Sequence, residues 1–207
     1  IINRNISNGL FRIYYRDILA DLKNAKEVLT AEEVAGEAAN IEKQNRLYII
    51  DILEVYCYQS LIDMFGNIPY SEACDINNIS PAYEDAFSIY KDMLNRLNAD
   101  ITGLNDAHGS FGANDVYFQG DVAMWKKFAN TMKVRLGITL ADVDETIARD
   151  AVQTAYQDGF AAGELCQIQY ESGTFSNPLY QDLVQSGRDD FVAANTLVDM
   201  MNTLNDP

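Results

Sequence analysis

Histidine is nearly missing from this chain: His108 is the only one in 207 residues. That leaves no multi-histidine metal site, and a Ser-His-Asp arrangement would have to run through this single residue. Beside Gly109 in a Gly-rich stretch, His108 reads as a solvated loop residue, and no catalytic residue is assigned. Basic residues are also scarce, with 15 Lys and Arg against 31 Asp and Glu and a net charge of −16. So acidic a surface disfavours nucleic acid and anionic membranes as partners. It suits a neutral or cationic ligand, or serves solubility alone. Four prolines and no alternating β-branched runs point to an all-α protein. The three cysteines, Cys57, Cys74 and Cys166, form neither metal-ligand spacing nor a disulfide framework, although one pair bridging stays open. No phosphate loop, dinucleotide fingerprint or zinc spacing is present, so neither cofactor nor metal is expected. No secretion signal, lipid-attachment motif or membrane span is seen. The chain starts without Met and stops at Asp206-Pro207, so both ends read as cut and any targeting segment as removed.

What is present centres on Leu47–Phe65. Apolar residues fall on almost every side of a helical wheel there, broken only by Asp51, Glu54, Gln59, Ser60 and Asp63. A helix apolar all round is buried among other helices. Its three carboxylates argue against a membrane span. Gly66 and Pro69 end it in a Phe-Gly-Asn-Ile-Pro-Tyr loop.

Ahead of this post, Leu10, Tyr14, Ile18, Leu22, Ala25 and Leu29 make one stripe of a helix over Ser7–Leu29. Thr30 and Glu33 match a capping box that would start a second helix, unless Gly36 breaks it. After the post, Ser80 and Pro81 are the expected cap and first residue of a helix carrying Glu84 and Asp85 in its first turn. Its stripe is Phe87, Tyr90, Leu94, Leu97, Ile101 and Leu104. Asn105–Gly120 is a connection. Asp121 caps the next helix, with Trp125, Phe128, Met132, Leu136 and Leu140 on one face. Lys126, Lys127 and Lys133 lie on its solvated side, and Arg135 close to the apolar line. Asp144 opens a helix to about Tyr156, ended by Asp158-Gly159. Phe160–Arg188 reads as a long excursion. Asp189–Leu204 forms a last short helix with Phe191, Ala194, Leu197, Val198 and Met201 inward. The expected fold is therefore one all-α domain over 1–207, built of stacked antiparallel helix pairs like a tetratricopeptide solenoid, with long loop excursions. No 34-residue repeat is visible, and an irregular bundle remains open on pattern alone.

Two blocks then carry a likeness. Tyr58–Ala73, YQSLIDMFGNIPYSEA, resembles the helix-to-loop signature of the SusD/RagB family, glycan-binding outer-membrane lipoproteins. Val116–Asp121 followed by Trp125–Leu136 is similar to that family's turn into a Trp-initiated helix. Asn177–Tyr180 and Phe191–Pro207 look like the SusD-like, starch-binding-associated branch. Gln119 stands where the family often has Gly. The resemblance implies a right-handed tetratricopeptide-like α-solenoid and a surface-exposed outer-membrane lipoprotein more than twice this length. It further implies non-catalytic binding of oligosaccharide or polysaccharide and delivery to a TonB-dependent outer-membrane transporter. Membrane attachment would come only through a lipid anchor outside this chain. A truncated stack would leave apolar faces bare, so association or disorder at the cut end is expected.

Sugars are held by aromatic rings under their C–H faces and by hydrogen bonds at their hydroxyls. Tyr70, Tyr83, Tyr117, Tyr170 and Tyr180 are the loop-proximal candidates for ligand binding, each weighed against simple packing. Trp125 reads as a buried anchor rather than a sugar platform. Asp75-Ile76-Asn77-Asn78 lacks the Gly and closing Glu of a calcium loop and reads as an Asx turn. Rival readings are a tetratricopeptide-type adaptor that binds peptide and a helical glycoside hydrolase. The second has no support from 31 scattered acids, which supply too many pairs to be informative.

Overall fold

The computed structural model describes residues 6–171, 173, 175–188, 190 and 192–206. Its elements are α1 (Ile6–Arg12), a π-helical stretch (Ile13–Leu19), α2 (Ala20–Ala31), α3 (Glu37–Phe65), β1 (Ile68–Pro69), β2 (Tyr83–Glu84), α4 (Ala86–Gly103), α5 (Val122–Thr139) and α6 (Glu145–Gln153). A second compact unit begins at Gln167 and holds α7 (Pro178–Tyr180), a π-helical turn (Gln181–Gln185) and α8 (Asn195–Leu204). In the first unit each helix packs on the next, α2 on α3, α3 on α4, α4 on α5 and α5 on α6. The fold is all-α, a tetratricopeptide-like stack of helix pairs, and among the described residues one two-stranded ladder pairs β1 with β2.

The post is buried as its composition requires. Ile49, Ile52, Val55 and Leu61 of α3 are at most 1% exposed, and they meet Ile89, Met93 and Leu97 of α4 in one core. Each such side chain stabilises the fold by about 1.5–3 kcal/mol. Trp125 of α5 is 2% exposed and edge-on to Phe118 and Phe128, a core anchor as expected. Asp121 caps α5 through the Met124 N–H, and Asp144 caps α6 through Thr146 and Ile147. Gly36 breaks the chain ahead of α3 with φ +92°.

Five sequence expectations fail for identifiable reasons. The π-helical stretch inserts one residue into the first helix: the Ala20 N–H reaches back to the Tyr15 carbonyl, five residues away. The inward face is thereby widened: Leu10 is exposed, Tyr14, Ile18 and Leu22 pack on the core as the stripe expects, and Phe11, Tyr15 and Leu19 join them. Thr30 caps nothing; its hydroxyl donates to the Lys26 carbonyl at the end of α2. Ser80 and Pro81 do not start α4, because pairing of Ile68 with Glu84 and Pro69 with Tyr83 keeps that segment extended. The cap is Asp85, which accepts from the Ser88 N–H at 2.9 Å. On α5 it is Lys133 that is buried, donating to Thr154 Oγ1 at 2.7 Å, while Arg135 is exposed. Ala194 ahead of α8 is exposed, as are Leu197 and Val198 within it, and Met201 is half-buried, since its unit supplies no second helix of comparable length among the described residues. Asp189 and Phe191 lie outside the described residues.

The Asn105–Gly120 connection is closed by its own backbone. Gly120 has φ +85°, and a Cβ there would fall 2.5 Å from the Gly112 nitrogen. Only glycine fits that approach. Gln119 ahead of it also has positive φ, at +54°, which rationalises glycine as the usual residue of the resembled motif.

Candidate functional site

The exit of α3 organises the loop-bearing edge. Gly66 leaves the helix with its N–H on the Ile62 carbonyl, and Asn67 Oδ1 accepts from the Ala86 N–H at 3.0 Å, fixing where α4 begins. Tyr15 Oη donates to the Pro69 carbonyl at 2.5 Å, tying the loop to the first helix. Glu84 accepts from both the N–H and the hydroxyl of Ser71, so the two ends of the 66–84 loop are stitched together. Within it, Asp75 Oδ1 accepts from the Asn77 N–H, the Asx turn the sequence indicates.

On one side of this loop lies a depression of about 430 Å³ lined by Phe11, Tyr15, Pro69, Cys74, Ile76 and Pro81. On the other is a cleft of about 380 Å³ with charged walls from Lys26, Asp51, Glu54, Asp92 and Arg96. Arg96 of α4 forks onto Asp51 of α3 through Nε and Nη2, both at 2.8 Å, and Nη2 also reaches Glu54 Oε2 at 2.6 Å. Lys26 of α2 donates to the same two carboxylates. Burial works against the Asp51 charge, yet the Arg96 fork and Lys26 hold its carboxyl below the usual range. Asp100, one turn along α4, is 3% exposed, and its Oδ2 has no hydrogen-bond partner. Burial, and then the Asp51 carboxylate, push its pKa up to about 8.

The tyrosine candidates separate. Tyr70 packs edge-on against Tyr58 at 4.6 Å, donates its hydroxyl to Asp92 Oδ2 at 2.5 Å and accepts from Arg96 Nη1 at 2.9 Å. Tyr83, opposite Pro69 in the ladder, is 66% exposed. These two share the 66–84 loop. Tyr117 is elsewhere, edge-on to Trp125 at 5.8 Å. Tyr170, tilted against Phe175 at 5.3 Å, and the exposed Tyr180 belong to the second unit.

Sequence reasoning missed two organising groups. One is the Lys26–Asp51–Glu54–Arg96 cluster; its signal was charged residues interrupting otherwise apolar helix faces. The other is Asp115, 6% exposed. Its Oδ1 accepts from the Tyr117 and Phe118 N–H groups at 2.9 and 3.2 Å. Its Oδ2 takes the Gly120 N–H at 3.1 Å and Trp125 Nε1 at 2.6 Å. His108 is half-buried rather than solvated, its carbonyl taking an N–H from Asn45 Nδ2. Cys57, Cys74 and Cys166 are free thiols, and burial pushes Cys57 up to about 12. Among the described residues no group of three or more His, Cys, Asp or Glu is placed to hold a metal ion. No helix among them is long and apolar enough to cross a membrane.

Comparison with known proteins gives one family. No curated protein matches. Among solved structures, a chitin-binding protein is 26% identical over 96% of this chain, with a TM-score of 0.80. A SusD homologue from Bacteroides uniformis is 25% identical over 90% of the chain, with a TM-score of 0.73. A chitin-binding SusD homologue from Flavobacterium johnsoniae, 21% identical over 72% of the chain with a TM-score of 0.60, shares the fold. This chain spans only 41%, 38% and 30% of those three structures, respectively. The family model described as "starch-binding associating with outer membrane" matches residues 1–207, so the chain belongs to the SusD-like family.

Proposed function

We propose that the protein containing this chain binds oligosaccharide or polysaccharide at the cell surface, without catalysis, and hands it to a TonB-dependent outer-membrane transporter. The observation carrying this reading is the starch-binding-associated family model matched over residues 1–207. The chitin-binding relative at 26% identity supports it from structure. A lipid anchor in the outer membrane, with the protein facing outward, belongs to the same reading, as does 1–207 acting as one all-α scaffold.

The 66–84 loop is the contact edge favoured by its chemistry. Tyr83 offers an exposed ring for a sugar's C–H face, and the Asn77 and Asn78 amides, bonded to Asp75 and Glu72, hold the loop beside it in shape. The depression beside it, walled by Phe11, Tyr15 and Pro81, has apolar surface for further stacking. Tyr70 serves this edge from beneath, as a clamp. Tyr117, Tyr170 and Tyr180 are kept as weaker contact candidates away from this loop. Binding is reversible, with no bond made or broken.

The test uses the full-length protein on chitin, starch and a panel of other polysaccharides, by pull-down on insoluble polymers and retardation in affinity gels. Retention on at least one neutral glycan without release of reducing sugar is expected. No retention on any polymer, or release of reducing ends, overturns the reading.

A further inference from the structure

The charged cleft contains more than a helix cross-link. Arg96 spends its guanidinium in two directions: Nε and Nη2 face the Asp51 and Glu54 carboxylates, while Nη1 reaches out to the Tyr70 hydroxyl. Tyr70 is the first residue after β1, and its carbonyl accepts the Ala73 N–H, so its position sets the start of the exposed loop. Arg96 is thus the sole cation donating to Tyr70 among the described contacts. Nearby sits a carboxyl, Asp100, with one oxygen that no donor reaches. Asp100 lies four residues on from Arg96, on the same side of α4, against Asp51. A buried carboxyl with an oxygen that no donor reaches, beside a second carboxylate, keeps its proton.

We propose that Arg96 is a positioning residue for the 66–84 loop, and that the proton on Asp100 decides whether Arg96 keeps hold of Tyr70. With Asp100 neutral, Asp51 and Glu54 take the inner face of the guanidinium and Nη1 is left for Tyr70. When Asp100 ionises, a second unscreened charge appears within one helical turn of Arg96. The guanidinium then turns toward Asp51 and Asp100, and the Tyr70 contact is released. The charged groups acting on Asp100 are Asp51 on α3, Lys26 on α2 and Arg96 on α4. Lys26 lies on the same two α3 carboxylates but does not reach Tyr70, so Arg96 is the cation that links them to the loop. The value of about 8 for Asp100 places the changeover in mildly alkaline water. That this loop faces sugar rests on the function proposed above; the latch itself does not.

Amide hydrogen exchange of this chain, read without glycan between pH 6.5 and 9.5 and corrected for intrinsic rates, tests the latch. Protection at Ser71 and Ala73 should fall about tenfold through pH 8, as for loss of one charge-assisted hydrogen bond. Asp100→Asn keeps a neutral donor toward Asp51, and its protection should be high and flat. Arg96→Lys, which lacks the fork, should give low and flat protection. In wild-type chain labelled with ¹³C at aspartate carboxyls, one buried resonance should titrate near pH 8, so the inference stays testable where a variant fails to fold. A flat wild-type profile, a pH dependence surviving in Asp100→Asn, or titration of every aspartate in the ordinary acid range overturns it. A functioning latch in a full-length protein that binds no glycan would sink the proposed function and leave this inference standing.

Discussion

Asp115→Ala should be among the most damaging single substitutions in the first unit. The carboxylate accepts four N–H groups, from Tyr117, Phe118, Gly120 and the Trp125 indole. Trp125 is 2% exposed and Phe118 8%, so those donors cannot turn to water when the carboxylate is removed. A buried donor left unpaired costs about 1–3 kcal/mol. The half-buried Tyr117 and Gly120 amides recover part of their loss from solvent. The total is about 4 kcal/mol, since groups sharing one acceptor do not add independently. In a chain of this size that lowers Tm by about 8–16 °C. Asp115→Asn should fall about midway, because its oxygen serves one donor pair while its NH₂ opposes the other. Trp125 is the only tryptophan, so its fluorescence reports urea unfolding of this region directly. Asp121→Ala, which removes only the α5 cap, is the control at about 1 kcal/mol. If Asp115→Ala costs no more than that control, Asp115 does not organise the turn.

Gly120→Ala should destabilise by about 3 kcal/mol in the same assay, combining positive φ with a Cβ lodged against Gly112 backbone. Because the folded state keeps the Asp100 proton that the unfolded chain gives up near pH 4, stability should decline as pH rises from about 4 to 8 and then level. Urea midpoints of Asp100→Asn should lack that component of the slope. Tyr83→Ala, at a residue 66% exposed, should leave thermal unfolding unchanged while weakening retention of the full-length protein on its polysaccharide about fivefold. A thiol reagent should modify exposed Cys166 in the native chain and buried Cys57 only on unfolding, followed by mass spectrometry of the labelled peptides.

Helix stripes and local caps were readable because their causes are local. Phe87 to Leu104 on α4 and Trp125 to Leu140 on α5 follow helical periodicity, and Asp121 and Asp144 bond to amides two or three residues away. Errors arose where distant partners outweigh local preference. Ser80-Pro81 has ideal cap chemistry, but ladder pairing with Ile68 and Pro69 sets the start of α4. The π-helical register in Ile13–Leu19 follows Tyr15 reaching Pro69 and Leu19 reaching the core, neither of which periodicity encodes. At the candidate edge, the Gly-Asn-Ile-Pro-Tyr bend and Tyr83 were legible as loop aromatics. The charges behind Tyr70 come from three helices and become one cluster only when those helices pack.

The contact between Gly112 and Gly120 has a consequence for descent. A surface connection ordinarily drifts freely in length as a family diverges, yet here two points of the chain touch without room for a methyl group. Inserting or deleting a residue between them would pull one away from the other and drag the Trp125 end of α5 with it. Size variation among relatives should therefore be excluded from 113–119 and gather instead around Ile76 and Ile79, whose side chains project into solvent.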